Sequence, residues 1–271
     1  MRIVCSEKIN VKRLRTLLDN KELLKPFIPA EYEFTKLQLI NEAKVGDELE
    51  VTYTKDIRYS ASVKLGPFTK YTGLGTLTRQ FRGYLSEGLY IDVDIVNCHP
   101  IILDTLTSHS VLREYCDKRD EFLTKHDITK EDFLSNLYNM YGKVHDNPLL
   151  MNLNSHLKNV LIPKLKQEFP TIWKRVLKKK VNQEGSFLAN VVQHFECLIL
   201  QECLQFAKGC VEIDVLIHDG FQVRVGENLD IAQFVTDLQI HISKHVFENR
   251  VFKDIKFKVK DFDQTLVNLL K

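Results

Sequence analysis

Two apolar segments that lie far apart in the chain each carry an aspartate where a β-strand would end. The first segment, residues 89–100, contains Asp92 and Asp94, and the second, residues 214–223, contains Asp219. The second segment has the pattern of two strands joined by a tight turn, because a glycine follows the aspartate and lets the backbone bend. Two such strands lying side by side can hold a pair of divalent metal ions, which clamp the attacking and leaving oxygens of a phosphoryl transfer.

Length and composition are those of an ordinary soluble globular protein. The chain has 271 residues, enough for one large domain or two small ones, and is 44% hydrophobic and 27% charged, with a net charge of only +2. Its six cysteines form no CxxC pair, which favours reduced thiols. No segment is typical of a signal peptide or a membrane span. We therefore expect no membrane partner, and a location in the cytoplasm or at a host-cell replication site rather than secretion.

The order of the predicted elements indicates an α+β fold with an antiparallel sheet. Strand-like alternation occupies residues 49–65, helical patterns fill most of residues 100–208, and a strand pair, a helix and a last strand follow. The long insertion between the two acid-bearing strands would form a helical subdomain. Further helices are predicted at residues 9–45, with a break near Pro26 and Pro29, and at residues 118–142, ending at Tyr141-Gly142.

Asp94 and Asp219 are the predicted metal ligands. Magnesium prefers hard oxygen ligands, usually one or two carboxylates together with substrate phosphates. Asp92 lies two residues before Asp94, so the two share one face of a strand, while Val93 and Ile95 point into the core. Asp92 is either a further ligand or a group that orients the first. The other interpretation, that acids at strand ends merely solvate a sheet edge, is favoured for one aspartate alone and disfavoured for the two segments together.

Polar residues stand next to both aspartates. His218 precedes Asp219, and its imidazole either hydrogen-bonds a primer end or a phosphate, or holds Asp219 in place. Asn97 and His99 close the first segment and open a helix. A side chain there could face the sugar of an incoming nucleotide, and His99 is the better placed. The structural alternative for His99 is a residue at a helix start whose hydrogen bonds are met by the backbone.

Cationic residues lie in helical stretches that flank the acids. A nucleotidyl transfer needs such cations, because negative charge builds up on the leaving pyrophosphate. Lys130 would start a helix with an aromatic side, placing the lysine on a phosphate and a tyrosine near the base; a surface lysine on an amphipathic helix is the alternative. The other members of this cationic and aromatic set are Arg79, Arg82, Arg119, Lys125, Tyr138 and Tyr141.

Two further patterns are candidates for contact with nucleic acid. Asn190 and Gln193 are i, i+3 neighbours on one face of a predicted helix, so both amides could touch bases or sugars, although an ordinary polar face has the same pattern. Residues 158–180 carry a run of cations against a single acid, Glu168. Such a run is typical of a phosphate-facing patch and also of a solvated helix face. The basic residues assigned to nucleic acid there are Lys174, Arg175, Lys178 and Lys179.

Four motifs follow one another in an informative order: Leu77-Thr-Arg-Gln-Phe-Arg82, Asp94-Ile-Val-Asn-Cys-His-Pro100, Asn190-Val-Val-Gln193 and Leu216-Ile-His-Asp-Gly-Phe221. This combination resembles the transposon- and virus-borne polymerase branch related to family A DNA polymerases and single-subunit phage-type RNA polymerases. In family A, a polar residue five positions after the first aspartate guards the sugar, and His99 takes that place here. The His-Asp turn is closer to the RNA polymerase version. The resemblance covers roughly residues 70–270.

The chain departs from the family A pattern at several positions. Tyr141-Gly142 is present, but no clean Arg/Lys pair precedes it on the expected fingers helix, so Lys130 and Arg119 are assigned by position alone. Gly220 replaces the usual glutamate after the His-Asp pair. The chain is also too short for a proofreading exonuclease or a full thumb.

The resemblance implies a DNA-directed nucleotidyltransferase of the palm and fingers type, a DNA polymerase that extends a primer 3′ end with two Mg²⁺ ions, or with Mn²⁺ as a substitute. Residues 71–271 would form the palm, with a fingers insertion at about 100–180, and residues 1–70 an N-terminal arm that is a reduced thumb or an accessory element. The expected partners are a DNA primer-template (or RNA), nucleoside triphosphates and a replication protein such as a helicase.

In this interpretation Asp94, Asp219 and His218 are the catalytic residues. Two rival interpretations stay open. The same fold could serve a primase or an RNA polymerase, which the RNA-polymerase-like turn favours and the resemblance of the remaining motifs to DNA polymerases disfavours. A degenerate polymerase fold could serve as a nucleic-acid-binding subunit without activity, which the retention of both strand-end aspartates disfavours. A metal-dependent nuclease is a weaker third alternative.

Overall fold

The computed structural model describes residues 2–25, 30–141, 146–227 and 229–270. The predicted break near Pro26 and Pro29 and the predicted helix end at Gly142 lie outside these residues. The strands, in chain order, are β1 (Arg2–Lys8), β2 (Glu48–Lys55), β3 (Tyr59–Leu65), β4 (Phe68–Lys70), β5 (Tyr90–Ile95), β6 (Ile213–Ile217), β7 (Gly220–Arg224), β8 (Val246–Phe247), β9 (Arg250–Val251) and β10 (Phe257–Lys260).

The helices account for most of the remaining described chain. A 3₁₀ turn, Leu74–Thr76, precedes α4, and a π-helical turn, Leu157–Leu161, joins α9 to α10. In chain order the helices are α1 (Val11–Asp19), α2 (Lys21–Leu24), α3 (Ala30–Ala43), α4 (Arg79–Ser86), α5 (Cys98–Thr107), α6 (Ser110–Asp117), α7 (Arg119–His126), α8 (Lys130–Tyr138), α9 (Pro148–His156), α10 (Ile162–Glu168), α11 (Pro170–Val176), α12 (Gln183–Ala207), α13 (Ile231–Lys244) and α14 (Thr265–Leu269).

The chain divides into two compact units, each built from separate segments. The first unit consists of Met1–Val96, Leu200–His241 and Lys256–Lys271, and the second of Asn97–Ile199 and Ile242–Ile255. The first unit therefore contains β1 to β4 together with the acid-bearing strands β5 to β7. The predicted separate arm at residues 1–70 stays a prediction. The second unit contains most of the predicted helical insertion.

The acid-bearing sheet of the first unit has the strand order β10-β5-β7-β6, and its neighbouring strands are antiparallel. One face of β5 is apolar, and Val93 and Ile95 are buried there, as predicted. Phe221 of β7 pairs with Val93, and both side chains are fully buried. The predicted α+β architecture with an antiparallel sheet is thus confirmed, and part of the core of this unit lies on the face of the sheet opposite the aspartates.

The other sheet of the first unit has the order β1-β2-β3-β4, and β1 carries a buried carboxylate, Glu7. The Tyr53 hydroxyl donates to Oε1 of Glu7 over 2.5 Å, and the Leu74 N–H donates to Oε2 over 2.7 Å. The same hydroxyl accepts a hydrogen bond of 3.1 Å from the N–H of Leu216 on β6. Glu7 therefore connects this sheet to the strand that leads into the His-Asp turn.

Glu7 makes the stability of the protein depend on pH, because burial raises the pKa of its carboxyl from 4.5 to about 7. As pH rises, the unfolded chain loses this proton first, so the folded state binds more protons between pH 4.5 and 7 and stability falls across that window. A shift of this size corresponds to on the order of 3 kcal/mol. We expect Glu7→Gln to remove this component from the free energy of unfolding.

Urea unfolding of both proteins between pH 5 and 8 measures the difference. The wild-type free energy of unfolding is expected to fall with pH more steeply than that of Glu7→Gln. The exposed Glu50 on the neighbouring strand β2 provides the control, because Glu50→Gln should leave the wild-type slope unchanged. Parallel curves for wild type and Glu7→Gln would contradict the assignment.

The second unit is mainly helical, and local sequence signals set its helix starts. Thr129 and Asp132 form a reciprocal capping box at the start of α8. Asn147 caps α9, with Pro148 in its first turn. The core is aromatic, since Tyr115 stacks on Phe133 with ring centroids 3.8 Å apart. Among the described helices of the chain, none combines the length and the apolar character that crossing a bilayer requires.

Candidate metal and nucleotide sites

The two predicted metal-binding aspartates lie at neighbouring positions in the sheet of the first unit. Asp94 on β5 pairs with Gly220, the first residue of β7, and Asp219 immediately precedes that glycine. The N–H of Ile95 donates a 2.9 Å hydrogen bond to the carbonyl oxygen of Asp219, which fixes the turn against the end of β5. In that turn His218 is exposed and Asp219 is half-buried. The sheet register thus makes neighbours of two residues that are remote in sequence.

Gly220 is required by the closeness of β5. A Cβ atom at this position would lie 2.4 Å from the carbonyl oxygen of Val93 and 2.7 Å from Oδ1 of Asp94. Its backbone is not in the left-handed region, so the structure gives a different reason for this glycine than the predicted bend. Any side chain here would push β7 away from the strand that carries Asp94.

Asp92 and Asp94 are both buried, and two cations lie beside them. Lys260 on β10 forms an ion pair with Oδ2 of Asp94. Arg82 on α4 donates a 3.0 Å hydrogen bond to the Leu77 carbonyl. Its positive charge interacts favourably with the carboxylates of Asp92 and Asp219. Burial raises the pKa of the Asp92 carboxyl, and the charges of Arg82 and Lys260 oppose this rise. The acids are thus held in a partly neutralised, weakly hydrated environment.

The donor atoms present are suitable for a magnesium ion. Oδ1 of Asp92 is buried and has no hydrogen-bond partner in the described part of the chain, and such an oxygen costs free energy unless a cation or water completes it. Carboxylate oxygens are the ligands that Mg²⁺ prefers. Within the described residues, the oxygens of Asp92, Asp94 and Asp219 do not all lie within 4.8 Å of one another. The three carboxylates therefore form no closed protein cage, and oxygens of a ligand would have to complete a magnesium site here.

His99, in the first turn of α5, is held between two side chains of the second unit. Its Nε2 lies 2.9 Å from Oε2 of the buried Glu196 on α12, and its Nδ1 lies 2.7 Å from the hydroxyl of Tyr138 at the end of α8. Burial raises the pKa of Tyr138 well above its usual range, so the neutral phenol can donate to Nδ1. Both ring nitrogens of His99 therefore have side-chain partners, whereas the structural alternative predicted backbone partners. His99 and Tyr138 belong to one hydrogen-bond network.

Asn97 and Arg119 contact each other in the second unit. Asn97 has a left-handed backbone with φ of 49°, its Nδ2 donates to the Cys116 carbonyl over 3.4 Å, and its Oδ1 accepts from Arg119, also over 3.4 Å. Nε of Arg119 also lies 2.9 Å from Oδ1 of Asp120. These contacts tie the start of α5 to the start of α7, which is a structural role, and a nucleotide-binding role for both residues stays a prediction.

The remaining predicted nucleotide and nucleic-acid contacts lie on accessible surfaces. Lys130 at the start of α8 and Tyr141 are exposed, and Arg79 is an exposed residue 3.8 Å from Asp263. The amides predicted on one helix face, Asn190 and Gln193, are half-buried on α12. All four cations assigned to the basic patch are exposed: Lys174, Arg175, Lys178 and Lys179.

Part of the basic segment has a structural role. Lys166 pairs with Glu184 over 2.7 Å and lies 4.0 Å above the ring of Trp173. Glu168, the single acid of the segment, pairs with Arg250. The segment is therefore a mixture of internal ion pairs and outward-facing cations, and only the outward-facing ones are available to a phosphate backbone.

Comparisons with known proteins identify the fold. No protein-family model matches the chain, and no curated protein matches it by sequence. Among solved structures, the chain is similar to the polymerase domain of Pol1 from M. smegmatis, in complex with DNA primer-template and dNTP, with a TM-score of 0.53 and 10% sequence identity. The chain has a polymerase-domain-like fold. The match covers 92% of this chain and 55% of that one, so the chain spans about half the length of the matched structure.

The fold likeness confirms the predicted resemblance at a general level only. A bacterial Pol1 polymerase domain shares the mixed helical and sheet architecture. The assignment of particular segments to palm and fingers, and the place of the chain in a transposon- or virus-borne branch, stay predictions.

Two residues next to the predicted sites were not found from the sequence. Lys260 lies in the predicted last strand and Glu196 in the predicted helix of Asn190 and Gln193, and neither has a predicted role. A signal existed for each of them. Lysines alternate along β10, so they share one face, and Glu196 follows Gln193 by one helical turn.

Proposed function

We propose that the protein is a template-directed nucleic-acid polymerase, and specifically a DNA polymerase that extends a primer 3′ end. The observation that carries the proposal is the register of β5 and β7, which brings Asp94 next to the turn that holds Asp219. The likeness to a DNA polymerase domain supports the proposal through the fold. The sequence motifs support it through their order.

In this proposal Asp94 and Asp219 would hold two Mg²⁺ ions, with Asp92 as a further ligand or as a group that orients Asp94. Bound Mg²⁺ would supply positive charge to the attacking and leaving oxygens of the phosphoryl transfer. His218, which is exposed beside Asp219, would contact the primer end. Arg82 would stabilise the cluster of carboxylates and meet a phosphate of primer or template, and Arg79 would act beside it.

The second unit would bind the incoming nucleotide. His99 would face the sugar, since Glu196 and Tyr138 hold its ring from both sides and leave it one orientation. A held ring discriminates between sugars better than a mobile one, because it cannot move aside for an added hydroxyl. Lys130 and Arg119 would meet the triphosphate, with Asn97 and Tyr141 as further nucleotide contacts.

Nucleic acid would be held mainly through its phosphates. Four exposed cations would contact the phosphates of a duplex backbone: Lys174, Arg175, Lys178 and Lys179. This electrostatic contribution to binding weakens as the salt concentration rises. Asn190 and Gln193 would touch bases or sugars. A helicase or another replication protein as partner stays a prediction from the resemblance.

A primer-extension assay with each nucleotide set tests the proposal. We expect Mg²⁺-dependent addition of deoxynucleotides complementary to the template, only when a primer is present. Synthesis from ribonucleotides without a primer would instead identify a primase or RNA polymerase. Binding of DNA without any incorporation would indicate an inactive subunit, and degradation of labelled DNA with Mg²⁺ alone would indicate a nuclease.

A further inference from the structure

The acid-bearing sheet contains a cation of its own at the place where a metal ion would bind. Lys260 is the last residue of β10, which is an edge strand and pairs only with β5 among the described strands. Residues opposite each other in an antiparallel pair share one face of the sheet. Lys260 is opposite Asp92 and Lys258 is opposite Asp94, so both lysines share the face of the two aspartates.

The two lysines differ in what they contact. The ammonium of Lys260 forms an ion pair with Oδ2 of Asp94, and the side chains are 38% and 8% exposed respectively. Lys258 is exposed and makes no ion pair within the described residues. Only one of two equally charged neighbours is therefore in contact with the predicted ligand.

We propose, on the basis of the proposed function, that Lys260 is a displaceable counter-ion that occupies Asp94 until a divalent cation takes its place. A lysine suits this role because its charge is compact and its four-carbon stem is flexible. Its side chain is 38% exposed at the end of an edge strand, so the ammonium can move into solvent. Without this counter-ion, only Arg82 would offset the charge of the buried carboxylates.

The proposal has a measurable consequence for affinity, because the lysine and the divalent cation compete for one carboxylate. Lys260→Met removes the competitor and keeps the length and the apolar stem of the side chain. We expect this variant to bind Mn²⁺, the probe ion, at least about tenfold more tightly than wild type. Lys258→Met removes the same formal charge from the same face without touching Asp94, and we expect a change below about threefold. Lys260→Arg keeps the charge and should not bind more tightly than wild type.

Mn²⁺ binding to the full chain is followed by the electron paramagnetic resonance signal of the free ion, and independently by the Mn²⁺-dependent rise in melting temperature. The rise should be larger in Lys260→Met than in wild type, and circular dichroism checks that each variant is folded. If Lys260→Met fails to fold without a divalent cation, recovery of its fold by Mn²⁺ at concentrations too low to stabilise wild type gives the same answer.

Asp219→Asn distinguishes a failure of the proposed metal site from a failure of the proposed role of Lys260. If wild type binds Mn²⁺, Asp219→Asn abolishes the binding and Lys260→Met leaves the affinity unchanged, the metal site stands and the role of Lys260 is overturned. An equal gain in Lys258→Met would also overturn it, because the effect would then be one of general charge. If wild type and Lys260→Met both bind no Mn²⁺, the metal site fails and the role of Lys260 fails with it.

Discussion

Asp219→Asn is expected to abolish nucleotide incorporation while the protein stays folded and continues to bind DNA. The substitution keeps the shape of the side chain and removes the negative charge that would hold a divalent ion in the His218-Asp219 turn. Removing a group on which charge stabilisation of the transferred phosphoryl depends should lower the rate by at least about 10³-fold. The measurement is the rate of single-nucleotide primer extension at saturating Mg²⁺.

The fold should tolerate this change because two electrostatic effects oppose each other. The charge of Asp219 raises the pKa of Asp92 and favours the charged form of Arg82, so its loss removes one repulsion and one attraction. Asp237→Asn on the exposed side of α13 is the matched control and should retain wild-type extension. An Asp219→Asn protein that still extends primers would refute the metal-binding assignment, whereas loss of activity in both variants would indicate a general effect of charge.

Gly220→Ala is expected to lower both the stability of the protein and its extension activity. The new methyl group would lie 2.4 Å from the Val93 carbonyl oxygen, a distance that no real contact of this kind shows, so β5 and β7 must separate locally. Overpacking of this kind costs about 1–3 kcal/mol. The same displacement moves Asp94 away from the turn, so extension should fall by more than the folded fraction alone explains. Urea unfolding and primer extension on the same sample measure the two effects.

Gly226→Ala, in the segment that follows β7, provides the control. A Cβ atom at Gly226 would have no other atom within 4 Å, and its backbone is not in the left-handed region. We expect its free energy of unfolding to stay within about 0.5 kcal/mol of wild type. A Gly220→Ala protein as stable as Gly226→Ala would show that the two strands are not as close as the register requires.

The sequence predicted the central strands well because both are apolar and end in turn or cap signals. The apolar residues of β5 and the glycine of the turn mark strands whose acids could be recognised without coordinates. The ion pair of Lys260 with Asp94 could not be predicted, because a lysine on an edge strand normally faces solvent. Its contacts also depend on which strand pairs with β10. Pairing partners are set by the tertiary fold, which the local pattern of one strand does not contain.

In the second unit too, local elements could be predicted from the sequence and the contacts between them could not. Sequence patterns gave His99, Tyr138 and α12 separately, because each has a local signature. Their contact depends on the packing of α5, α8 and α12, which are distant in sequence. Glu196 was missed since an acid within an apolar helix has no partner in the local pattern, although a buried carboxylate must find one. The N-terminal strand β1 was missed for a similar reason, because charged residues interrupt its alternation.

Because the first unit is built from separate segments of the chain, its paired strands are synthesised at different times on the ribosome. Strand β5 is made long before its partners, since the whole helical insertion is translated between Asp94 and Asp219, and β10 comes later still. The apolar face of β5 therefore stays without its partner strands while the helical insertion is being translated. Such non-local pairing slows folding and exposes nascent chains to aggregation. Cellular yield should thus depend on chaperones and on translation speed through this interval.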